Sequence, residues 1–276
     1  MSRDNRVDRR SYLKIAGVGG SFALAGCLSS FGGGDDGDGG TDDGGDGSAG
    51  TIVAGTASGF PPFEVTEGGE LKGFDIDLLE AVVEETDYEL EEWEDFNKFE
   101  SLIPGLQNDR IDVIAAAMTI NDDRDQAIDF TDPYYDANQA ILVRDDGEFS
   151  PGSLDDLSGH KVGAQKGTTG ENVVKEQLIE ADKLKQSNYK AYDNYTLAVT
   201  DLENGNVDAV VLDTPVADSF QGERDVTTAF TYETGEKYGF GVREDDDDLR
   251  EALNEGLATV MEDGTYEDLT KKWFQE

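Results

Sequence analysis

Apolar positions along this chain fall in short runs between polar turns, and their spacing switches between the period of a buried strand and that of an amphipathic helix. Residues 51–56 read as a buried strand, and residues 75–85 as a helix with Leu78, Leu79, Val82 and Val83 inward. Phe99, Leu102, Ile103 and Leu106 recur at helical spacing before an apolar, β-type run at 112–118. Residues 161–164 read as a second opening strand, followed by Gly167-Thr168-Thr169-Gly170 and a helical pattern around Val173, Val174 and Leu178. An amphipathic helix over 249–261, a turn at Asp263-Gly264-Thr265 and a last helix carrying Tyr266, Leu269, Trp273 and Phe274 complete the pattern, with those aromatics assigned to core.

One stretch occurs twice. Residues 106–114, LQNDRIDVI, match residues 202–210, LENGNVDAV, in pattern: a helix end, a polar turn and a buried strand. Leu197, Ala198 and Leu202 take the inward role before the second copy. Both strands run into polar residues at their carboxyl ends, Thr119 to Arg124 after the first and Asp213-Thr214-Pro215 after the second. Two lobes on one plan are expected to face these ends toward each other.

The first fifty residues have a different character. Arg9-Arg10 precedes a weakly apolar run over 15–24 and then Leu24-Ala25-Gly26-Cys27. That run is too short and too rich in glycine to span a bilayer, and the arginine pair marks a twin-arginine export signal at 1–27. The small residues before Cys27 resemble a lipoprotein processing site, so Cys27 is expected to carry a lipid that anchors the protein at the extracellular face of the membrane. The chain has one cysteine, which rules out an internal disulfide. Residues 32–50 hold ten glycines and six aspartates and nothing apolar to bury, so 28–50 read as a flexible tether.

Charge then narrows the partners. Without residues 1–27 the chain carries 17 basic against 60 acidic side chains, a net charge of −43. Such self-repulsion is tolerable in molar salt, where the Debye length is about 3 Å, and it argues against nucleic acid as a partner.

Candidate chemistry centres on Arg124. Its planar fork of donors fits a carboxylate bidentately, and Thr119 offers a hydroxyl on the same rim. The competing possibility is an ion pair with Asp122, Asp123 or Asp125 on a solvated loop. The Gly167–Gly170 turn offers an anion N–H groups and hydroxyls, or serves as an ordinary helix cap. The single histidine, His160, lacks a second His or Cys nearby, so neither a metal site nor a cofactor is expected. No serine–histidine pair is placed for acyl transfer, and Glu171 is the one candidate acid beside the turn.

Gly73-Phe74-Asp75-Ile76-Asp77-Leu78, the run over 120–135, Leu212-Asp213-Thr214-Pro215 and Gly264-Thr265-Tyr266 with Lys271-Lys272-Trp273-Phe274 together resemble the family 3 extracellular solute-binding proteins, with a haloarchaeal lipoprotein character in the signal and acidic surface. The resemblance covers residues 51–276. It implies an α/β architecture, the type II periplasmic-binding-protein fold: lobe 1 from 51–136 plus 239–276, lobe 2 from 137–238, and two crossover strands near 135–138 and 237–240 flanking a ligand cleft. It implies a monomeric receptor that binds a free amino acid and delivers it to the permease subunits of an ABC importer. By position, Arg124 takes the α-carboxylate with Thr119 and Thr169, and Asp213 the α-ammonium with the Ala117 carbonyl. Phe60 and Phe99 form aromatic walls, and Gln165 faces the ligand side chain. Ala57 and Ser58 stand where other members carry an aspartate, which favours a neutral or polar ligand. An enzyme on the same scaffold, such as a cyclohexadienyl-dehydratase-like lyase, and an amino-acid sensor without transport are the alternatives.

Overall fold

The structure, a computed structural model, describes residues 50–274. The export signal, Cys27 and nearly all of the tether lie outside the described residues. Strands β1 (Gly50–Thr56), β2 (Val65–Glu67), β3 (Glu70–Lys72), β4 (Tyr88–Asp95), β5 (Val113–Ile114) and β6 (Asp129–Phe130) precede a long β7 (Tyr135–Arg144). Strands β8 (Val162–Gln165), β9 (Tyr189–Tyr192), β10 (Ala209–Asp213), a long β11 (Val226–Tyr238) and β12 (Gly241–Val242) follow. The α-helices are α1 (Phe74–Glu84), α2 (Leu102–Gln107), α3 (Asp122–Asp125), α4 (Thr169–Asn172), α5 (Tyr195–Glu203), α6 (Thr214–Glu223), α7 (Asp247–Asp263) and α8 (Thr265–Phe274).

Two five-stranded sheets carry the two lobes. The first has the order β4-β1-β5-β12-β6 and the second β11-β7-β10-β8-β9. The chain leaves the first sheet from β6 into β7, and returns to it from β11 into β12. These two connections lie side by side, with Tyr135 paired to Tyr238 and Asp136 to Lys237. They are the crossover strands of a type II periplasmic-binding-protein fold. Aromatic rings brace the crossing: Phe63 lies 5.1 Å from Tyr135 and 5.4 Å from Tyr238 between ring centroids, and Tyr134 stacks on Phe240 at 4.7 Å.

Helical periodicity places the core as expected in α1, where Leu78, Leu79, Val82 and Val83 are buried. The terminal helices pack on the same lobe. Leu253, Leu257 and Val260 of α7 join the α1 cluster, while Tyr266, Leu269, Trp273 and Phe274 of α8 pack against it half-buried. Leu197 departs from expectation: it is 51% exposed, and Tyr195, Ala198, Val199 and Leu202 form the buried face of α5. The cap sets the phase: Asn194 accepts the Leu197 N–H and starts the helix at Tyr195, so with Tyr195, Ala198 and Leu202 inward, residue 197 falls on the outer face.

The apolar run at 112–118 also differs from a continuous strand. Only Val113 and Ile114 pair in the ladder with β1. The Ala115 N–H still reaches the Gly55 carbonyl of β1 at 2.9 Å, but Ala116 to Met118, though buried, leave the ladder, because Ala117 adopts φ +44° and gives its N–H to the Asp75 carboxylate at 2.6 Å. A buried acid on α1 therefore shapes the rim on which Thr119 and Arg124 stand.

Candidate functional site

Arg124 sits in α3, whose start is capped by Asn121 accepting the Arg124 N–H at 3.0 Å. Asp122, Asp123 and Asp125 are exposed, and the buried guanidinium turns away from them. Nη1 donates to the Thr119 carbonyl at 2.6 Å and Nη2 to the Gly167 carbonyl at 2.9 Å. Gly167 follows β8 of the second sheet, so the arginine of one lobe touches the backbone of the other. The guanidinium carbon also lies 5.2 Å from the Phe99 ring centroid, within cation–π range. Burial lowers the Arg124 pKa, while Asp213 and Glu236 oppose that shift.

Asp213 closes β10 and is buried on the same interior. Its carboxylate accepts from the Tyr238 hydroxyl at 2.5 Å and from the Gln139 amide. The same Gln139 nitrogen donates to Glu236 Oε1 at 2.8 Å, which joins two acids through one amide. Glu236 Oε2 accepts the Thr119 hydroxyl at 2.7 Å, and Thr169 donates to Thr119 at 3.2 Å. Arg124, Thr119, Thr169 and Asp213 therefore belong to one network that spans both lobes.

The remaining expected residues are placed as follows. Phe60 is buried and its ring lies 5.6 Å from that of Tyr195 on α5, so it packs toward the second lobe. Phe99 is half-buried beneath Arg124. Gln165 is buried at the carboxyl end of β8, and its Oε1 has no hydrogen-bond partner. Ala117 is buried, with its N–H taken by Asp75. The Gly167–Gly170 turn is chiefly a cap: Thr168 accepts the Glu171 N–H, and Glu171 accepts the Gly167 N–H at 2.8 Å. At Gly170 a Cβ would come within 2.8 Å of the Tyr195 hydroxyl and 2.9 Å of Gln139 Oε1, so the turn sits directly against the network. For Glu171, burial pushes its pKa up, but the Gly167 N–H, the Tyr189 hydroxyl and Lys175 outweigh it and hold the carboxyl below its usual range.

Glu236, Gln139 and Tyr238 were not evident from sequence. With 62 acidic residues in the chain, one more glutamate carries no signal. The available clue was Gly235 beside it. The β11 register shifts between Tyr232 and Glu236, Gly235 takes φ +64°, and Asn138 Oδ1 accepts the N–H groups of Thr234 and Gly235 at 2.9 and 2.8 Å. This bulge re-aims the strand so that Glu236 and Tyr238 point inward.

Three buried acids titrate abnormally. Burial, reinforced by Glu236, lifts Asp213 to about 7; burial also lifts Asp75 to about 7 against its hydrogen bonds from Ala117 and Tyr134. Glu64 is raised well above its usual value by burial and then by Asp75. In the folded state these groups bind protons that the unfolded chain has released above about pH 4. Stability present below pH 4 is therefore lost as the pH rises toward 7, by up to about 1.4 kcal/mol per pH unit for each group. Differential scanning calorimetry of the ligand-free protein at constant salt should show a transition rising as pH falls from 7 to 5. A flat or falling transition would count against these assignments.

The sequence profile of the bacterial extracellular solute-binding proteins, family 3, matches residues 52–276. The chain is 35% identical over 238 residues to the putative ABC transporter arginine-binding protein 2 of Escherichia coli K12, covering 83% of this chain and 93% of that protein. It is 34% identical over 226 residues to a probable histidine-binding protein of Campylobacter jejuni, covering 81% and 84% respectively. Among solved structures, an ancestral arginine-binding protein bound to arginine superposes with a TM-score of 0.76 at 39% identity, over 82% of this chain and 99% of that one. On the match over nearly all of the described residues, the chain belongs to the bacterial extracellular solute-binding proteins, family 3.

Proposed function

We propose that this protein is an extracellular receptor that closes its two lobes on one free amino acid and hands it to an ABC importer. The relatives named above for arginine and histidine support the amino-acid class. The observation that carries the reading is the buried network in which Arg124 reaches from one lobe to the Gly167 carbonyl of the other, while Asp213 presents the opposite charge. A zwitterion satisfies both. In this reading Arg124 takes the α-carboxylate with Thr119 and Thr169, using N–H groups beyond the two engaged by carbonyls. Asp213 and the Ala117 carbonyl take the α-ammonium, Phe60 and Phe99 flank the ligand, and Gln165 faces its side chain. Closure then follows binding, because the full set of contacts exists only when the lobes meet.

The lobes divide at 51–136 plus 239–276 and 137–238. Twin-arginine export, a lipid on Cys27 and the 28–50 tether would hold a monomer at the outer face of the membrane, within reach of the permease. The net charge of −43 over 28–276 fits a surface adapted to molar salt. Glu171, engaged by three partners and held below its usual range, offers little support for a dehydratase.

A thermal-shift screen of the standard L-amino acids in molar salt tests the reading. A ligand at 100 times its Kd adds about 2.7 kcal/mol, which raises the midpoint by about 5–10 °C in a domain of this size. No shift with any amino acid, together with turnover of a cyclohexadienyl acid, would replace the receptor by the enzyme.

A further inference from the structure

Arginine and histidine in the names of relatives say nothing about how this chain would discriminate side chains, since Ala57 and Ser58 offer no carboxylate in front of Phe60. The acid comes from elsewhere in the fold. Glu236 lies on β11, 5% exposed, just past the bulge that Gly235 and Asn138 create. Its hydrogen bonds are all accepted: from Thr119 at 2.7 Å, Thr234 at 2.7 Å and Gln139 at 2.8 Å.

The charge balance around it is uneven. Asp213 and Glu236 share the interior with one guanidinium, Arg124, whose two bonds across this network go to carbonyls and not to either acid. A ligand with no net charge leaves that imbalance in place, and an uncompensated buried charge is costly. A ligand with one additional positive charge removes it. Unpaired atoms add a demand for hydrogen-bond donors, which a charged or a neutral nitrogen can meet. Gln139 gives its amide nitrogen to both acids, so its Oε1 is left as a buried acceptor without a partner, and Gln165 Oε1 on β8, beyond β10 in the same sheet, is another. Both call for N–H donors. Outside the network, a groove of about 530 Å³ shares Thr169 and Thr234 with it and is lined by Asp122, Asp123 and Glu176, with no basic residue.

We infer that Glu236 is the specificity-determining residue of this cleft and that it selects an amino acid with a cationic side chain. The inference rests on the amino-acid reading above and reverses the preference for a neutral ligand that Ala57 and Ser58 imply. L-Arginine and L-citrulline differ by a guanidinium against a neutral urea of the same shape, so they separate charge from fit.

Calorimetric titration of the full chain with each, at pH 8 and constant molar salt, should give arginine an affinity at least about 100-fold higher than citrulline. In Glu236→Gln the arginine-to-citrulline ratio should fall at least about tenfold. Glu236→Asp, which keeps the charge, serves if the glutamine variant does not fold, and should retain a ratio above about ten. Equal affinities in the wild type, an unchanged ratio in Glu236→Gln, or loss of both ligands in a folded Glu236→Gln would each overturn the assignment. Citrulline or glutamine binding without a charge preference would overturn this inference alone. Failure of every amino acid to bind would remove the amino-acid reading with it.

Discussion

Arg124→Ala should weaken amino-acid binding by at least about a thousandfold while the protein still folds. Truncating one partner of a buried, hydrogen-bonded charge pair costs about 2–5 kcal/mol or more, and here two losses coincide. The variant removes the fork that receives the α-carboxylate, and it removes the bond to the Gly167 carbonyl that ties the two lobes, along with the bond to Thr119 within its own lobe. Arg124→Lys should recover little, since a point charge cannot fill a bidentate site and reach both carbonyls. Folding should survive because the cores of α1 and α7 and of the second sheet do not include this side chain. Titration calorimetry together with far-UV circular dichroism separates the two effects. Wild-type affinity in Arg124→Ala would remove this residue from the site.

Asp213→Asn is the second large effect. The variant keeps the shape and the bond from Tyr238 but loses the charge facing the α-ammonium, so binding should weaken at least about a hundredfold. The wild type should also show a pH signature that the variant lacks. Asp213 in the ligand-free protein titrates at about 7, lifted by burial and by Glu236. A bound ammonium favours the carboxylate, so ligand binding releases a proton below that pH. Affinity should therefore be steady above pH 7 and fall by up to about tenfold per unit below it. In Asp213→Asn the decline between pH 7 and 5 should flatten. A wild-type affinity independent of pH in that window would mean that Asp213 does not face the ligand charge.

Much of the two-lobe plan was legible because it rests on local pattern. The echo of residues 106–114 in 202–210 became β5 and β10; Asp213 ends β10, and Arg124 follows β5 on the short helix α3. Helix α1 followed its apolar spacing because a one-sided helix has few other ways to bury Leu78, Leu79, Val82 and Val83. Legibility failed where a long-range partner overrode the pattern. Ala115 to Met118 read as strand, but the Asp75 carboxylate captures the Ala117 N–H from 42 residues away. Leu197 read as inward, and the Asn194 cap set a different phase.

Glu236 illustrates a harder limit. Along β11 the face of a side chain depends on register, and a shift of one residue reverses it. The bulge that decides the register is held by Asn138 on β7, nearly a hundred residues earlier, so Gly235 hints at a turn in the strand but does not say which way Glu236 faces. Arg124 was recognisable by type and position, yet its choice between Asp122, Asp123 and Asp125 and the cleft depended on Gly167 lying across from it. Residue identity supplied the candidates, and tertiary placement chose among them.

The central claim is that an amino acid lies between the lobes with its carboxylate on Arg124 and its ammonium on Asp213. A crystal structure of the protein with the amino acid that gives the largest thermal shift tests it most directly. The expected result is a ligand enclosed between the sheets, its α-carboxylate about 3 Å from the Arg124 guanidinium and its α-ammonium about 3 Å from Asp213. A ligand bound elsewhere on the surface, or one held in the cleft with neither group on these two residues, would contradict it.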